Sequence, residues 1–139
     1  MRINGLRRVG LFVIIFIYLL VLSAMSSEMV EAKTYREGKV YTVAGRLKTR
    51  TYQHGGNGLM VKGYMLELRK KIKVSSARYE MFSGKEVDIN VNSLSKKNAA
   101  MLEKWIGKRV KVKGFFMIPD SIWWWYNRGI IVASKVKKR

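Results

Sequence analysis

The segment Arg109-Val110-Lys111-Val112-Lys113-Gly114-Phe115 alternates cations with apolar residues one for one. Side chains along a strand point to opposite faces in turn, so this spacing predicts a strand with one buried and one wet, cationic face. Val40 to Arg50 repeats the arrangement: Tyr41, Val43, Leu47 and Thr49 share one face, and Arg46, Lys48 and Arg50 the other. Gly45 interrupts it and predicts a bulge or bend. Met60 to Leu68 carries Tyr64, Leu66 and Leu68 in phase, and a basic run, Arg69, Lys70, Lys71 and Lys73, follows. Ser75 to Lys85 reads as irregular, with Tyr79, Met81 and Phe82 as local anchors. Val87, Ile89 and Val91 alternate with Asp88, Asn90 and Asn92, and Ile130 to Val136 is a last strand.

One helix interrupts the strands. Ser95 suits an N-cap, Ala99 to Lys104 are mostly strong helix formers, and Gly107 suits the C-terminal stop. Leu102 with Ile106, and Met101 with Trp105, share a face, which makes Trp105 a core plug. Gly38 opens the domain. The order strand, strand, strand, helix, strand, strand predicts a mainly β fold: a five-stranded OB-like barrel with its helix between strands 3 and 4. An open α+β sheet with one packed helix is the competing architecture.

An N-terminal signal helix precedes this domain. Arg2, Arg7 and Arg8 form a positive n-region, Leu11 to Leu22 is an apolar run of 12, and small polar residues follow from Ser23. Val30-Glu31-Ala32 suits cleavage after Ala32, with Leu22-Ser23-Ala24 as the second choice. Residues 1–32 are thus read as a signal peptide, and 33–139 as a basic β-barrel domain of an exported protein, periplasmic or secreted. Residues 9–25, a stretch of 17, give the alternative of an uncleaved membrane anchor. Cysteine is absent, so no disulfide supports the fold.

The charge is extreme: 28 Lys and Arg against 9 Asp and Glu, a net of +19. Removing Arg2, Arg7, Arg8, Glu28 and Glu31 leaves 25 against 7, or +18, on the mature domain. Solubility alone requires a magnitude of only about 2–8. Such a surface attracts an anionic polymer (nucleic acid or acidic glycan) or an acidic membrane surface.

Two constellations are candidate ligand sites. In OB-folds the loops joining strands one–two and four–five flank the ligand face. The first loop here holds Tyr52, Gln53 and His54 beside Gly55-Gly56-Asn57-Gly58; the second holds Trp123, Trp124, Trp125 and Tyr126 ahead of Arg128. Three consecutive tryptophans in extended backbone cannot all face one core. The exposed rings could stack on bases or sugars, anchor in a membrane interface or dock on a protein partner, or merely cover the barrel's open end. The second constellation is cationic. Arg46, Lys48 and Arg50 would merge with Arg109, Lys111 and Lys113 on the neighbouring strand into one stripe; a solvated face is the plainer reading.

Catalysis has little basis. His54 is the sole histidine, and no second histidine or cysteine offers the usual ligands of a metal site. Glu80, Glu86 and Asp88 read as ordinary surface residues, and the glycine cluster lacks the P-loop lysine. The chain is therefore read as a non-enzymatic binding module with no cofactor or metal. A structural or protein-interaction factor of the envelope, docking through the tryptophan loop, is the alternative. A small hydrolase centred on His54 is a third reading.

The segments Gly63-Tyr64-Met65-Leu66-Glu67-Leu68, Val87-Asp88-Ile89-Asn90-Val91 and Leu102 to Gly114 resemble a family of small secreted bacterial domains of unknown function, numbered 4431. The resemblance spans about Val40 to Val136 and implies an exported OB-like module without indicating an activity. Members tend to carry a histidine pair in the last connection. Here that stretch reads Ile122-Trp123-Trp124-Trp125-Tyr126, so no role of those histidines transfers.

Overall fold

The computed structural model describes residues 10–20, 32–121 and 124–139. The n-region arginines, the cleavage-site residues 21–31 and Trp123 lie outside them. The chain divides into two units, Met1–Glu31 and Ala32–Arg139. In the first, residues 10–20 form helix α1, whose side chains are exposed. No described helix is long and apolar enough to cross a membrane.

The second unit is mainly β, with strands β1 (Lys33–Arg36), β2 (Val40–Gln53), β3 (Met60–Ser75), β4 (Phe82–Asn90), β5 (Arg109–Met117) and β6 (Ile130–Lys138), and helix α2 (Lys96–Trp105) between β4 and β5. They form one six-stranded sheet in the order β1-β3-β2-β5-β6-β4. A further β3–β4 pairing closes the run from β3 to β4 into a ring of hydrogen-bonded neighbours.

Six strands replace the expected five. The domain begins at β1, ahead of Gly38, and β1 runs parallel to the Ile72–Ser75 end of β3. Its four residues contain a single inward position, Tyr35, so no periodicity marks it. Tyr35 is buried against Phe116 at 4.9 Å and edge-on to Tyr41 at 4.7 Å. β3 outruns its expected end at Leu68: Ile72 and Val74 return to the core beyond a register shift between Glu67 and Ile72. The consecutive cations Arg69 to Lys71 coincide with that shift, which hides the strand from a period-two reading. β4 starts at Phe82, inside the segment read as irregular, because Phe82 to Gly84 pair with that far end of β3.

The inward residues build one core, with Leu47, Leu66, Val87, Val110, Val112, Phe116, Ile131 and Val136 at its centre. Gly45 answers to close approach and not to a bulge. The β2–β5 ladder runs through it without a shift, the β2–β3 ladder starts one residue later at Arg46, and a Cβ at Gly45 would lie 2.6 Å from the Glu67 carbonyl oxygen and 2.7 Å from Leu66 Cγ. α2 begins where the Ser95 side chain accepts from the Asn98 N–H at 3.1 Å. It buries Leu102 completely, on the order of 2 kcal/mol of transfer free energy. Trp105 packs partly buried against the core, and Gly107, at φ 82°, ends the turn.

Candidate functional site

The register of β2, β3 and β4 sets three residues side by side on the outer face: Lys48 opposite Met65, and Met65 opposite Asp88. An outer face should be wet, yet Met65 is fully buried and Asp88 is 3 % exposed. Ile130, the β6 partner of Asp88, is also buried, and neither it nor Met65 belongs to the main core. Over Asp88 the cover is the connection between β5 and β6. The Tyr126 and Asn127 N–H groups donate to Asp88 Oδ2 at 2.5 and 3.1 Å. Asn127 Nδ2 donates to Asp88 Oδ1 at 2.9 Å and to Glu86 Oε1 at 3.2 Å. Asp88 is thus a buried anchor for the aromatic loop, contrary to the expectation of an ordinary surface acid. Burial pushes its carboxyl above the usual range, against the pull of those donors.

The same strands neutralise part of the expected cationic stripe. Lys48 Nζ lies 2.9 Å from Glu67 and 3.4 Å from Glu86, and Arg50 lies 3.2 Å from Glu86. The hydrogen bond from Lys48 holds the Glu67 carboxyl below its ordinary value. The Arg50 guanidinium also lies 4.1 Å from the centre of the Tyr126 ring, a cation–π distance. Lys48 and Arg50 therefore belong to the network beneath the loop and do not extend a row of unneutralised cations. The signal for this, Glu67 and Glu86 at outward positions, is present in the sequence, but their register is not.

The aromatic loop is braced. Tyr52 Oη donates to the Trp124 carbonyl, and its ring sits 5.9 Å from that of Tyr126. His54 is buried, its Nδ1 accepts from the Gly56 and Asn57 N–H groups at 3.0 and 3.1 Å, and its ring meets that of Trp124 at 3.9 Å. His54 thus ties its own glycine loop to the tryptophan loop. Trp124 is 56 % exposed and Tyr126 47 %, whereas Trp125 is half-buried. Arg128 is exposed. Trp124 and Trp125 border a cavity of about 120 Å³ with Tyr52, Tyr64 and Asp88. At its rim Tyr64 Oη donates to Glu103; burial first, then that carboxylate, pushes the phenol up to about 12.

Six outward cations of β2, β5 and β6 face like charges across the strands, although Arg46 also has Glu67 as its β3 partner. Arg46 pairs with Arg109, Lys111 with Lys137, and Lys113 with Lys135. None of these six, among the described residues, takes part in an ion pair. Like charges directly opposite one another across strands are destabilising, and here three successive pairs of outward positions repeat the fault. Lys135 and Lys137 alternate in the sequence, but only the β5–β6 register brings them beside Lys113 and Lys111.

No group of three or more His, Cys, Asp or Glu side chains suited to a metal occurs among the described residues. The chain matches no family model, and no curated protein matches it.

Proposed function

We propose that this chain is an exported, non-enzymatic binding module that holds an anionic polymer or acidic envelope surface on its cationic face, beside the aromatic loop. In this reading β2 to β6 are the five strands of an OB-like barrel and β1 is an addition. Arg46, Arg109, Lys111, Lys113, Lys135 and Lys137 supply charge; Trp124 and Tyr126 supply exposed rings for stacking or insertion. The carrying observation is the three like-charged cross-strand pairs without ion-pair partners among the described residues. A surface that accumulates cations against their mutual repulsion is stabilised by an anion that spans them. Neighbouring strands stand about 4.8 Å apart and alternate residues about 6.7 Å, a close grid for a polymer of repeated charge. The test is affinity of the full chain for a polyanion across salt concentrations. Log affinity should fall linearly with log salt, with a slope of about −4 to −5 for six neutralised phosphates. Double reversal, Lys111→Glu with Lys113→Glu, should flatten that slope. An affinity indifferent to salt overturns the reading.

A second reading is a structural or interaction factor that docks a protein partner through the loop. Its support is that Trp124 and Tyr126 stay exposed although Tyr52 and Asp88 hold their backbone and His54 packs against the Trp124 ring. Rigid aromatic side chains in a fixed frame are the usual anchors of a protein interface.

A further inference from the structure

One end of the cationic face is rich in arginine. Arg46 and Arg109 are partners across β2 and β5. The Arg139 N–H donates to the Arg109 carbonyl at 3.0 Å, which sets Arg139 on the other flank of Arg109. Arg69 follows two residues after Glu67, the β3 partner of Arg46. None of the four is in an ion pair among the described residues; Glu67, the β3 partner of Arg46, is bonded by Lys48 and feels the field of Arg46 as well. Arg109 Nε is buried without a hydrogen-bond partner. Burial, and then the positive fields of Arg69, Arg139 and Arg46, lower the Arg109 pKa. The cluster therefore concentrates charge, and with Arg109 Nε closed off it is the terminal nitrogens of that guanidinium that can face an anion.

The chemistry of a guanidinium narrows what could neutralise that charge. Each presents a planar fork that grips two oxygens of one anion. A carboxylate has two oxygens, about four lone-pair sites and a single charge. A phosphodiester leaves two free oxygens and a single charge. A phosphate monoester offers three oxygens and about −1.5 to −2 charge at neutral pH, enough acceptors for several forks at once. We propose that Arg46, Arg69, Arg109 and Arg139 form a site for a terminal phosphate group. This rests on the reading of the face as anion-binding and adds the class of anion.

The test uses the full chain in calorimetric titrations at fixed ionic strength with inorganic phosphate, glycerol phosphate, dimethyl phosphate and acetate. Inorganic phosphate and the monoester should bind at least about tenfold more tightly than the diester and acetate. Their affinity should weaken below about pH 6, where the dianion takes up a proton. Arg109→Lys keeps the charge but loses the fork, and should cost about tenfold. Arg109→Gln without phosphate should leave the Tm unchanged or raise it, and should abolish the rise in Tm that phosphate produces. Equal affinity for acetate and the monoester, or an Arg109→Lys variant that binds phosphate as the parent does, overturns the site.

Two matched pairs distinguish where the phosphate comes from: an oligonucleotide with a 5′-phosphate against its 5′-hydroxyl form, and vesicles of phosphatidic acid against phosphatidylglycerol. Preference for the monoester member of either pair supports the site and names the source. No preference in both pairs overturns it. Salt-dependent polyanion binding that persists without any monoester preference leaves the face standing and removes only the phosphate site.

Discussion

Ionising Asp88 inside the fold is opposed by burial and assisted by three donated hydrogen bonds, and burial prevails. A carboxyl whose folded pKa is raised adds stability below its unfolded value and loses that contribution as pH rises through the folded pKa. Glu67 works the other way: its lowered carboxyl stabilises above the ordinary glutamate range and is lost as pH falls. Asp88→Asn keeps an acceptor oxygen and removes the titration, so its denaturant stability should lack the decline that Asp88 gives the parent as pH rises above the ordinary aspartate range. Asp88→Ala leaves the Tyr126 and Asn127 N–H groups without their acceptor and should cost about 1–3 kcal/mol. A parallel pH profile for Asp88→Asn and parent would contradict the role given to this carboxylate.

At the scale of elements, the loop and the helix are each tied to the sheet by a few polar contacts. The tryptophan connection is held by Asp88 and Asn127 on one side and by Tyr52 and His54 on the other. α2 is held to β6 by Asn98, whose Nδ2 donates to the Val136 carbonyl at 2.7 Å and whose Oδ1 accepts from the Val136 N–H at 2.8 Å. This pair imitates a strand partner at a point where β6, paired with β5 through Val112, has none on its β4 side. Asn98→Ala should therefore lower stability by about 1–3 kcal/mol in urea unfolding. Exposed Lys97→Ala, its neighbour on the helix, should change stability by less than about 0.5 kcal/mol. Equal effects of the two substitutions would mean that Leu102 and Trp105 alone seat the helix.

For the molecule as a whole, the division of the chain bears on the proposed export. The unit that carries the sheet starts at Ala32, and β1 starts at Lys33. Cleavage after Ala32 would leave all six strands intact. Mass spectrometry of the exported protein should find Lys33 at the mature N-terminus. A mature chain beginning beyond Tyr35 would lack the ring that packs on Phe116 and Tyr41, and it would refute this processing site.

Local periodicity was enough to locate β2, β5, β6 and α2, because Val110, Val112, Leu47 and Leu102 repeat at the spacings of strand and helix. It also identified Arg46, Arg109, Lys111 and Lys113 as outward cations, since side-chain direction along a strand follows from parity. It was silent on β1 and the far end of β3, where Tyr35, Ile72 and Val74 are too few or too interrupted to form a pattern. Asp88 stood among polar alternating positions, and nothing nearby marked it as buried, because its cover comes from Tyr126 and Asn127 far along the chain. Whether a cation is neutralised was likewise decided only by tertiary register. Lys48 and Arg50 meet Glu67 and Glu86, whereas Arg109, Lys111 and Lys113 meet more cations, and an ion pair depends on distances that neighbours in sequence do not set.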